Sequence, residues 1–157
     1  MIDGVDLTVH SSSTITHSAG TNVVVRTVAI EVTNGDLTIN EGGTIVVSGK
    51  GYSQRNGPGA GASRGFNDAG AGAGHGGEGG NAAGRVIGSA YGSVVGPTTL
   101  GSGGGGGDGG NNNGGVVKVT VLGTTTLNGS IIAKGTTGKS GTWGAGGRIA
   151  VHYTTDT

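Results

Sequence analysis

The sequence predicts an all-β fold: a parallel β-helix, or solenoid, interrupted by a long glycine-rich excursion, with a β-sandwich as the alternative. Three observations lead to this prediction. Apolar and polar residues alternate with a period of two, which is typical of half-buried strands and not of helices. Glycine accounts for 40 of the 157 residues and leaves few stretches that favour a helix. Two groups of strand-like segments also match each other in sequence, as the stacked units of a solenoid would.

The strand candidates are short, rich in β-branched residues and bounded by glycine or asparagine. They form two packets, residues 1–50 and 114–157, on either side of a glycine-rich insertion at residues 51–113. The length of the chain fits a single elongated domain. In order, the candidates are Val23–Val25, Val28–Val32, Asp36–Ile39, Thr44–Val47, Val116–Leu122, Thr124–Leu127, Ser130–Ala133 and Arg148–Tyr153.

The repeats are what favours a solenoid over a sandwich. Gly43–Gly49 matches Gly129–Gly135 without a gap, and Gly114–Val121 matches Gly146–Tyr153. In the second pair, the apolar residues of both segments fall on the same face of a strand. Strands with one apolar face need neighbours to cover them, and stacked rungs supply such neighbours at short sequence spacing. A sandwich would need only the pattern to recur, not the sequence.

The glycine-rich excursion has two interpretations. Gly49–Gly115 holds 27 of the 40 glycines. Because ordering one glycine costs about 0.5–1 kcal/mol relative to alanine, the segment either stays mobile or packs bare backbone closely. Charged and aromatic residues such as Arg55 and His75 recur within it, unlike in a simple linker. The glycine spacing is two in Gly70–Gly74 and three in Gly74–Gly80. A spacing of three suits extended, polyglycine-like segments packed side by side, and this is the arrangement we expect.

The charge and composition exclude several classes of protein. Nine basic residues balance nine acidic ones, and there is no cysteine. We therefore expect no nucleic-acid partner, because no basic patch stands out, and no disulfide or thiolate metal site. No apolar run approaches the roughly 18 residues of a membrane-spanning helix, so we expect no membrane insertion.

The sequence carries no recognisable catalytic or cofactor motif. The serines lack a nucleophile elbow with a base partner, the acidic residues fall in turns or in the excursion, and we expect the scattered histidines to be exposed or in turns. Gly103–Asp108 fits the first six positions of a calcium-binding nonapeptide, but no second copy follows. Asp108 with Asn111–Asn113 is therefore the candidate for calcium, and local turn hydrogen bonding by asparagine is the competing interpretation. We therefore expect that the protein is not an enzyme and binds no cofactor.

The few aromatic residues have two interpretations. They seal the ends of the core, or some of them contact a carbohydrate or a receptor, because loops on a rigid scaffold commonly carry binding residues. The candidates for such a contact are Tyr52, Arg55, Arg64, Tyr91 and Trp143.

Four segments in a fixed order resemble a unit of the large glycine-rich surface and adhesin-type repeat proteins of bacteria. The resemblance covers about residues 35–153, ending in a poly-glycine tract and a GGRIA-like strand. It implies an extracellular β-rich repeat domain and no catalytic residue. In this chain Thr142 and Trp143 interrupt the glycines before the GGRIA-like strand. The four segments are Tyr91–Gly107, Gly114–Val119, Leu127–Ala133 and Gly146–Tyr153.

Together these observations predict a non-enzymatic structural protein at the cell surface or outside the cell. It would associate with itself into a fibre or stalk through the stacking or pairing of β-strands. The alternative is an adhesin or phage tail-fibre-tip module that binds a surface glycan or a receptor. The candidate assembly residues lie near both ends of the chain: Val23, Val24, Val25, Ile149, Val151 and Tyr153.

Overall fold

The computed structural model describes residues 6–19, 24–62, 70–81, 84–106, 113–136 and 143–156. Within these ranges the chain forms eight β-strands and no helix. The strands are β1 Leu7–Val9, β2 Thr14–Ile15, β3 Thr27–Val32, β4 Leu37–Ile39, β5 Thr44–Val46, β6 Val116–Leu127, β7 Ser130–Ile132 and β8 Arg148–Asp156.

The strands form two sheets in which every pair is parallel. Sheet one has five strands in the order β1-β4-β6-β3, with β8 also paired to β6. The long strand β6 pairs with β3 through its first half and with β4 through its second half. Because the first half of β6 also pairs with β8, β3 and β8 lie on opposite sides of it. The other sheet has the order β2-β5-β7, and the sheets together form a half-barrel.

Most of the predicted strands are confirmed, with three differences. The two candidates on either side of Gly123 form one continuous strand, β6. Val24 and Val25 lie outside any strand, so that candidate was wrong for its described residues. Strands β1 and β2 were not predicted, and each pairs in parallel with a strand of the next layer, β4 and β5 respectively.

The predicted fold class, an all-β parallel β-helix with a β-sandwich as the alternative, is wrong. A β-helix repeats coils of similar length, but here strands of two to twelve residues share the sheets and β6 contacts three others. Between β5 and β6 the described residues contain no strand, so the architecture is mixed. A sandwich requires antiparallel sheets, whereas all the pairs here are parallel.

The apolar core lies between the two sheets. Leu37, Ile39 and Ile45 have no exposed surface, and the alternating residues of β3 and β6 are buried beside them. β-Branched side chains suit such a pleated surface, because they pack against the residues directly across the strand pair. The eleven residues of this core are Val9, Val28, Ile30, Val32, Leu37, Ile39, Ile45, Val47, Val117, Val119 and Val121.

The same corner recurs from layer to layer before β1, β4 and the second half of β6. The Asp6 carboxylate accepts a hydrogen bond from the backbone N–H of Asp36 at 2.9 Å. The Asp36 carboxylate in turn accepts one from the N–H of Thr124 at 2.7 Å. Gly123 is required at this corner, because a Cβ there would collide with the backbone carbonyl of Gly35 and lie 2.6 Å from the Asp36 carboxylate oxygen. Each aspartate carboxylate therefore binds the backbone of the next layer and fixes the position of that layer at the corner.

The glycine-rich segments hydrogen-bond to one another through their backbones. The N–H of Gly72 donates to the Gly80 carbonyl at 2.9 Å, and the N–H of Gly88 donates to the Gly72 carbonyl at 3.0 Å. Each segment thus contacts neighbours on several sides, unlike a strand, which has two hydrogen-bonded neighbours. Further bonds of this kind join Gly74 to Gly59, Gly79 to Gly88, Gly103 to Asn56 and Gly105 to Ala71.

The described residues between β5 and β6 form a glycine-rich layer. Backbone contacts also attach this glycine-rich layer to the sheets. The N–H of Gly101 donates to the Gly114 carbonyl at 2.9 Å, and the N–H of Gly114 donates to the Ala145 carbonyl at 3.0 Å. The N–H of Gly115 donates to the carbonyl of Val47, just after β5, at 2.8 Å. The layer therefore continues directly into β6.

Candidate functional site

An open apolar row on β8 is the first candidate site. Ile149, Val151 and Tyr153 lie in register with three residues of β6 that are at most 1% exposed. On β8 itself, however, Ile149 is 43% and Tyr153 is 50% exposed. A second strand pairs with β6 on its other side, whereas no described strand pairs with the outer edge of β8. The row of apolar side chains that is buried on β6 is therefore exposed to solvent where it continues on β8.

The backbone of β8 is open along the same edge. Within the described ranges β8 pairs only with β6, and β3 likewise pairs only with β6. Both strands consequently present a row of N–H and C=O groups that pair with none of the described strands. Such an edge is a template for the addition of another strand.

The sequence-predicted assembly residues fall at these two edges of one sheet. Val24 and Val25 are 45% and 46% exposed and lie just before β3, whereas Val23 lies outside the described residues. Ile149, Val151 and Tyr153 lie on β8. The structure does not bring the two groups together within one chain. A contact between them requires two chains.

The sequence-predicted ligand residues do not converge on one site. Arg55 donates from Nε and from one terminal nitrogen to the Gly106 carbonyl, at 3.3 and 3.1 Å. Tyr52 hydrogen-bonds through its backbone to Gly101 and to the Asn113 side chain. Trp143 is 64% exposed, and Arg64 lies outside the described residues. The glycan or receptor contact therefore stays a prediction.

Tyr91, the remaining ligand candidate, takes part in a polar network inside the glycine-rich layer. Its hydroxyl donates to the Leu100 carbonyl and accepts from the Ser102 hydroxyl at 2.6 Å. Ser102 has no exposed surface, and its oxygen also accepts from the Gly59 N–H at 3.0 Å. Burial raises the pKa of Tyr91 above its usual value. Each polar atom of the network is thus used to join backbone segments.

His75 is at the centre of a second part of this network, which the sequence did not predict. We expected an exposed or turn histidine, but His75 is 4% exposed. Its Nδ1 lies 3.0 Å from the Gly146 carbonyl, which accepts, so Nε2 accepts from the Thr99 hydroxyl at 3.3 Å. Its ring packs at 4.8 Å from that of Tyr91. Because glycines flank His75 in the sequence, no apolar pattern there indicates that it is buried.

The free energy of unfolding is expected to fall as the pH drops below about 6.5. Burial, with a further contribution from Arg148, lowers the pKa of His75. Unfolded chains then bind a proton that the folded chain resists, so stability is present above the ordinary histidine pKa of about 6.5. This stability is lost progressively as the pH falls from about 6.5 to the lowered pKa of His75. Urea unfolding between pH 5 and pH 8 measures this slope.

The control for this pH dependence is His75→Asn, whose side-chain amide can also donate and accept hydrogen bonds but cannot titrate in this range. We expect the variant to show a shallower slope on the acid side of pH 6.5 than the unmodified chain. An identical slope in both proteins would show that His75 does not cause it.

An open depression of about 410 Å³ borders this network. Its lining includes His75, Glu78, Arg148 and residues 144–147. Arg148 donates to the Tyr91 carbonyl at 3.0 Å, which fixes the guanidinium against the wall. The depression is thus lined by a buried histidine, His75, and by Arg148, which is already bound to the backbone.

The described residues offer no constellation for a metal ion. They contain no group of three or more histidine, aspartate and glutamate side chains placed to hold one. Asp108, Asn111 and Asn112 of the calcium candidate lie outside the described residues. Asn113 is fully buried, and its amide donates to the Tyr52 carbonyl.

Comparisons with known proteins add no identification. In the part of the chain that the structure describes, no helix has the length and hydrophobicity needed to cross a membrane. Protein-family models, curated proteins and solved structures all return no match to this chain. The resemblance to glycine-rich bacterial surface proteins therefore stays a prediction.

Proposed function

We propose that this chain is a non-catalytic structural module that associates with copies of itself through the edge of β8, as a fibre subunit or stalk module outside the cell. The observation that carries the proposal is the change in burial along one row of the sheet. Val117 and Val121 on β6 are at most 1% exposed, whereas their register partners Ile149 and Tyr153 are about half exposed. One further strand would bury this row.

The apolar side chains and the open backbone support the same contact. A strand added to β8 gains main-chain hydrogen bonds along the edge and removes the exposed apolar surface from water. Completing the burial of one large apolar side chain contributes on the order of 1 kcal/mol. The row contains three such residues, Ile149, Val151 and Tyr153.

The double variant Ile149→Lys and Tyr153→Lys is expected to remain monomeric at concentrations where the unmodified chain associates. The two ammonium groups cannot be buried beneath an added strand without a large desolvation cost. We expect the dissociation constant for self-association to rise at least about tenfold for each substitution. Sedimentation velocity over a concentration series, with electron microscopy for filaments, measures the effect.

Val94→Lys is the matched control, because Val94 is 78% exposed and lies in the glycine-rich segment, outside any strand. It removes an exposed valine and adds the same charge, so we expect it to associate like the unmodified chain. If the unmodified chain stays monomeric at every concentration, or the double variant associates equally well, the proposal is wrong.

A further inference from the structure

We propose that the strand added to β8 is β3 of a second copy, so that copies join head to tail in parallel. The inference rests on the self-association proposed above and specifies which surface of the second copy takes part. Both edges belong to the same five-stranded sheet, and each pairs on its inner side with β6. Because β3 and β8 lie on opposite sides of β6, each copy offers one edge of each kind.

The register of the contact follows from the register already present in the sheet. Val28 of β3 lies opposite Val117 of β6, which lies opposite Ile149 of β8. The same spacing relates three successive apolar positions on each strand. Continuing it places Val28 of the second copy opposite Ile149, Ile30 opposite Val151 and Val32 opposite Tyr153. The contact spans six residues on each side, Thr27–Val32 and Arg148–Tyr153.

Charge on the outward face favours β3 as the partner. Glu31 and His152 are both in register with Thr120 of β6. In the head-to-tail arrangement Glu31 of the second copy therefore lies opposite His152, where its carboxylate accepts a hydrogen bond from the imidazole. Opposite-charge and hydrogen-bonded pairs directly across strands stabilise a sheet. Two copies of β8 paired with each other in parallel and in register would instead place His152 opposite His152.

The exposed side chain of Val25, just before β3, also fits against the other copy. Val25 precedes Thr27 by two residues, and Gly146 precedes Arg148 by two. Extending the register therefore places Val25 of the second copy opposite Gly146. No atom of the described residues lies within 4 Å of the position that a Cβ on Gly146 would occupy. The bare backbone there leaves room for the valine side chain.

A contact between two different edges continues from copy to copy. Heterologous contacts of this kind form open filaments when the rotation between copies does not close a ring. The result is a polar filament, in which all strands of the sheet point in one direction. The first copy keeps a free β3 edge and the last keeps a free β8 edge.

Paired cysteines test the register, because the chain contains no cysteine of its own. Residues directly opposite on paired strands have Cα separations within the roughly 4.4–6.8 Å that a disulfide spans. We expect the double variant Glu31→Cys and His152→Cys, oxidised under assembly conditions, to give a ladder of covalent oligomers on non-reducing gels. A second pair, Ala29→Cys and Ala150→Cys, tests the same register with the Glu31–His152 contact intact.

The matched control is Glu31→Cys with Thr120→Cys, since those residues are opposite each other within one chain. It should form an intrachain disulfide and no ladder, which shows that the fold and the oxidation are intact. Each single variant should give dimers at most.

The outcomes separate this inference from the self-association on which it rests. If Val151→Cys alone crosslinks efficiently as a dimer and neither pair gives a ladder, two β8 edges pair with each other and the inference is overturned. If filaments form without any crosslink, the register is wrong although self-association stands. If no variant and no unmodified chain associates, the proposed function itself fails.

Discussion

Gly101→Ala is expected to lower the free energy of unfolding by about 2–3 kcal/mol, the cost of overpacking a well-packed interior. A Cβ at this position would lie 2.6 Å from the carbonyl oxygen of Gly146 and 2.9 Å from that of Ala145. Both distances are too short for carbon and oxygen, and both neighbours are backbone atoms. The glycine-rich layer meets the residues that lead into β6 and β8 at this point, so the strain cannot be confined to a side chain.

The hydrogen bonds around Gly101 prevent an easy adjustment. Its N–H donates to Gly114, its carbonyl accepts from Tyr52 at 3.0 Å, and Gly114 is bound in turn to Ala145. Moving any of these segments apart to admit a methyl group lengthens several bonds at once. We therefore expect the loss to exceed the small effect of alanine at an open glycine.

Gly77→Ala is the control for this substitution. Gly77 is exposed and lies in the same glycine-rich layer, and none of the residues that the structure describes has an atom within 4 Å of the position of a Cβ there. Alanine there restricts the unfolded chain and is expected to be neutral or to stabilise by up to about 1 kcal/mol. Urea denaturation of both variants measures the difference. Equal midpoints would contradict the view that bare backbone is the packing surface at Gly101.

The strands were predictable because their pattern is local. The residues of β3 alternate between buried and exposed positions, as their sequence does. The same holds for the first half of β6, where Lys118 is exposed between two buried valines. A period of two in β-branched residues is sufficient to place such strands. It does not show which strands pair, and that is where the predicted fold class failed.

Strands β1 and β2 were missed although the sequence contained a signal for them. The segment Asp6–Ile15 reads DLTVHSSSTI, and Asp36–Ile45 reads DLTINEGGTI. The two segments share five of ten residues at a spacing of 30, and the structure pairs Leu7 with Leu37 and Thr14 with Thr44. A search for repeats that included the N-terminal residues would have found this pair of layers.

The candidate site could be predicted only in part. Alternation places Ile149, Val151 and Tyr153 on the apolar face of β8, which is why they were assembly candidates. Their exposure depends on how many strands the sheet has, and that is a property of the whole topology. The burial of His75 was not predictable either, since the groups that bind its two ring nitrogens are a glycine carbonyl and a threonine hydroxyl.

Hydrogen exchange is expected to separate the glycine-rich layer into protected and unprotected amides. The N–H groups of Gly72, Gly88 and Gly105 donate to carbonyl groups of neighbouring segments at 2.9–3.0 Å. Opening these bonds requires the segments to separate, so their exchange should be slower than in a free peptide by about a thousandfold or more. Nuclear magnetic resonance resolves the individual glycine amides.

The internal control is the behaviour of the exposed glycines of the same layer. Gly76 and Gly84 donate no backbone hydrogen bond to any described residue, and both lie at the surface. We expect them to exchange at nearly the rate of an unstructured chain. Because all these amides belong to glycine, their intrinsic rates are similar and the contrast reports hydrogen bonding alone. If Gly72 and Gly88 exchanged as fast as Gly76, the layer would be a mobile loop, and Gly101→Ala would then have no packed backbone to displace.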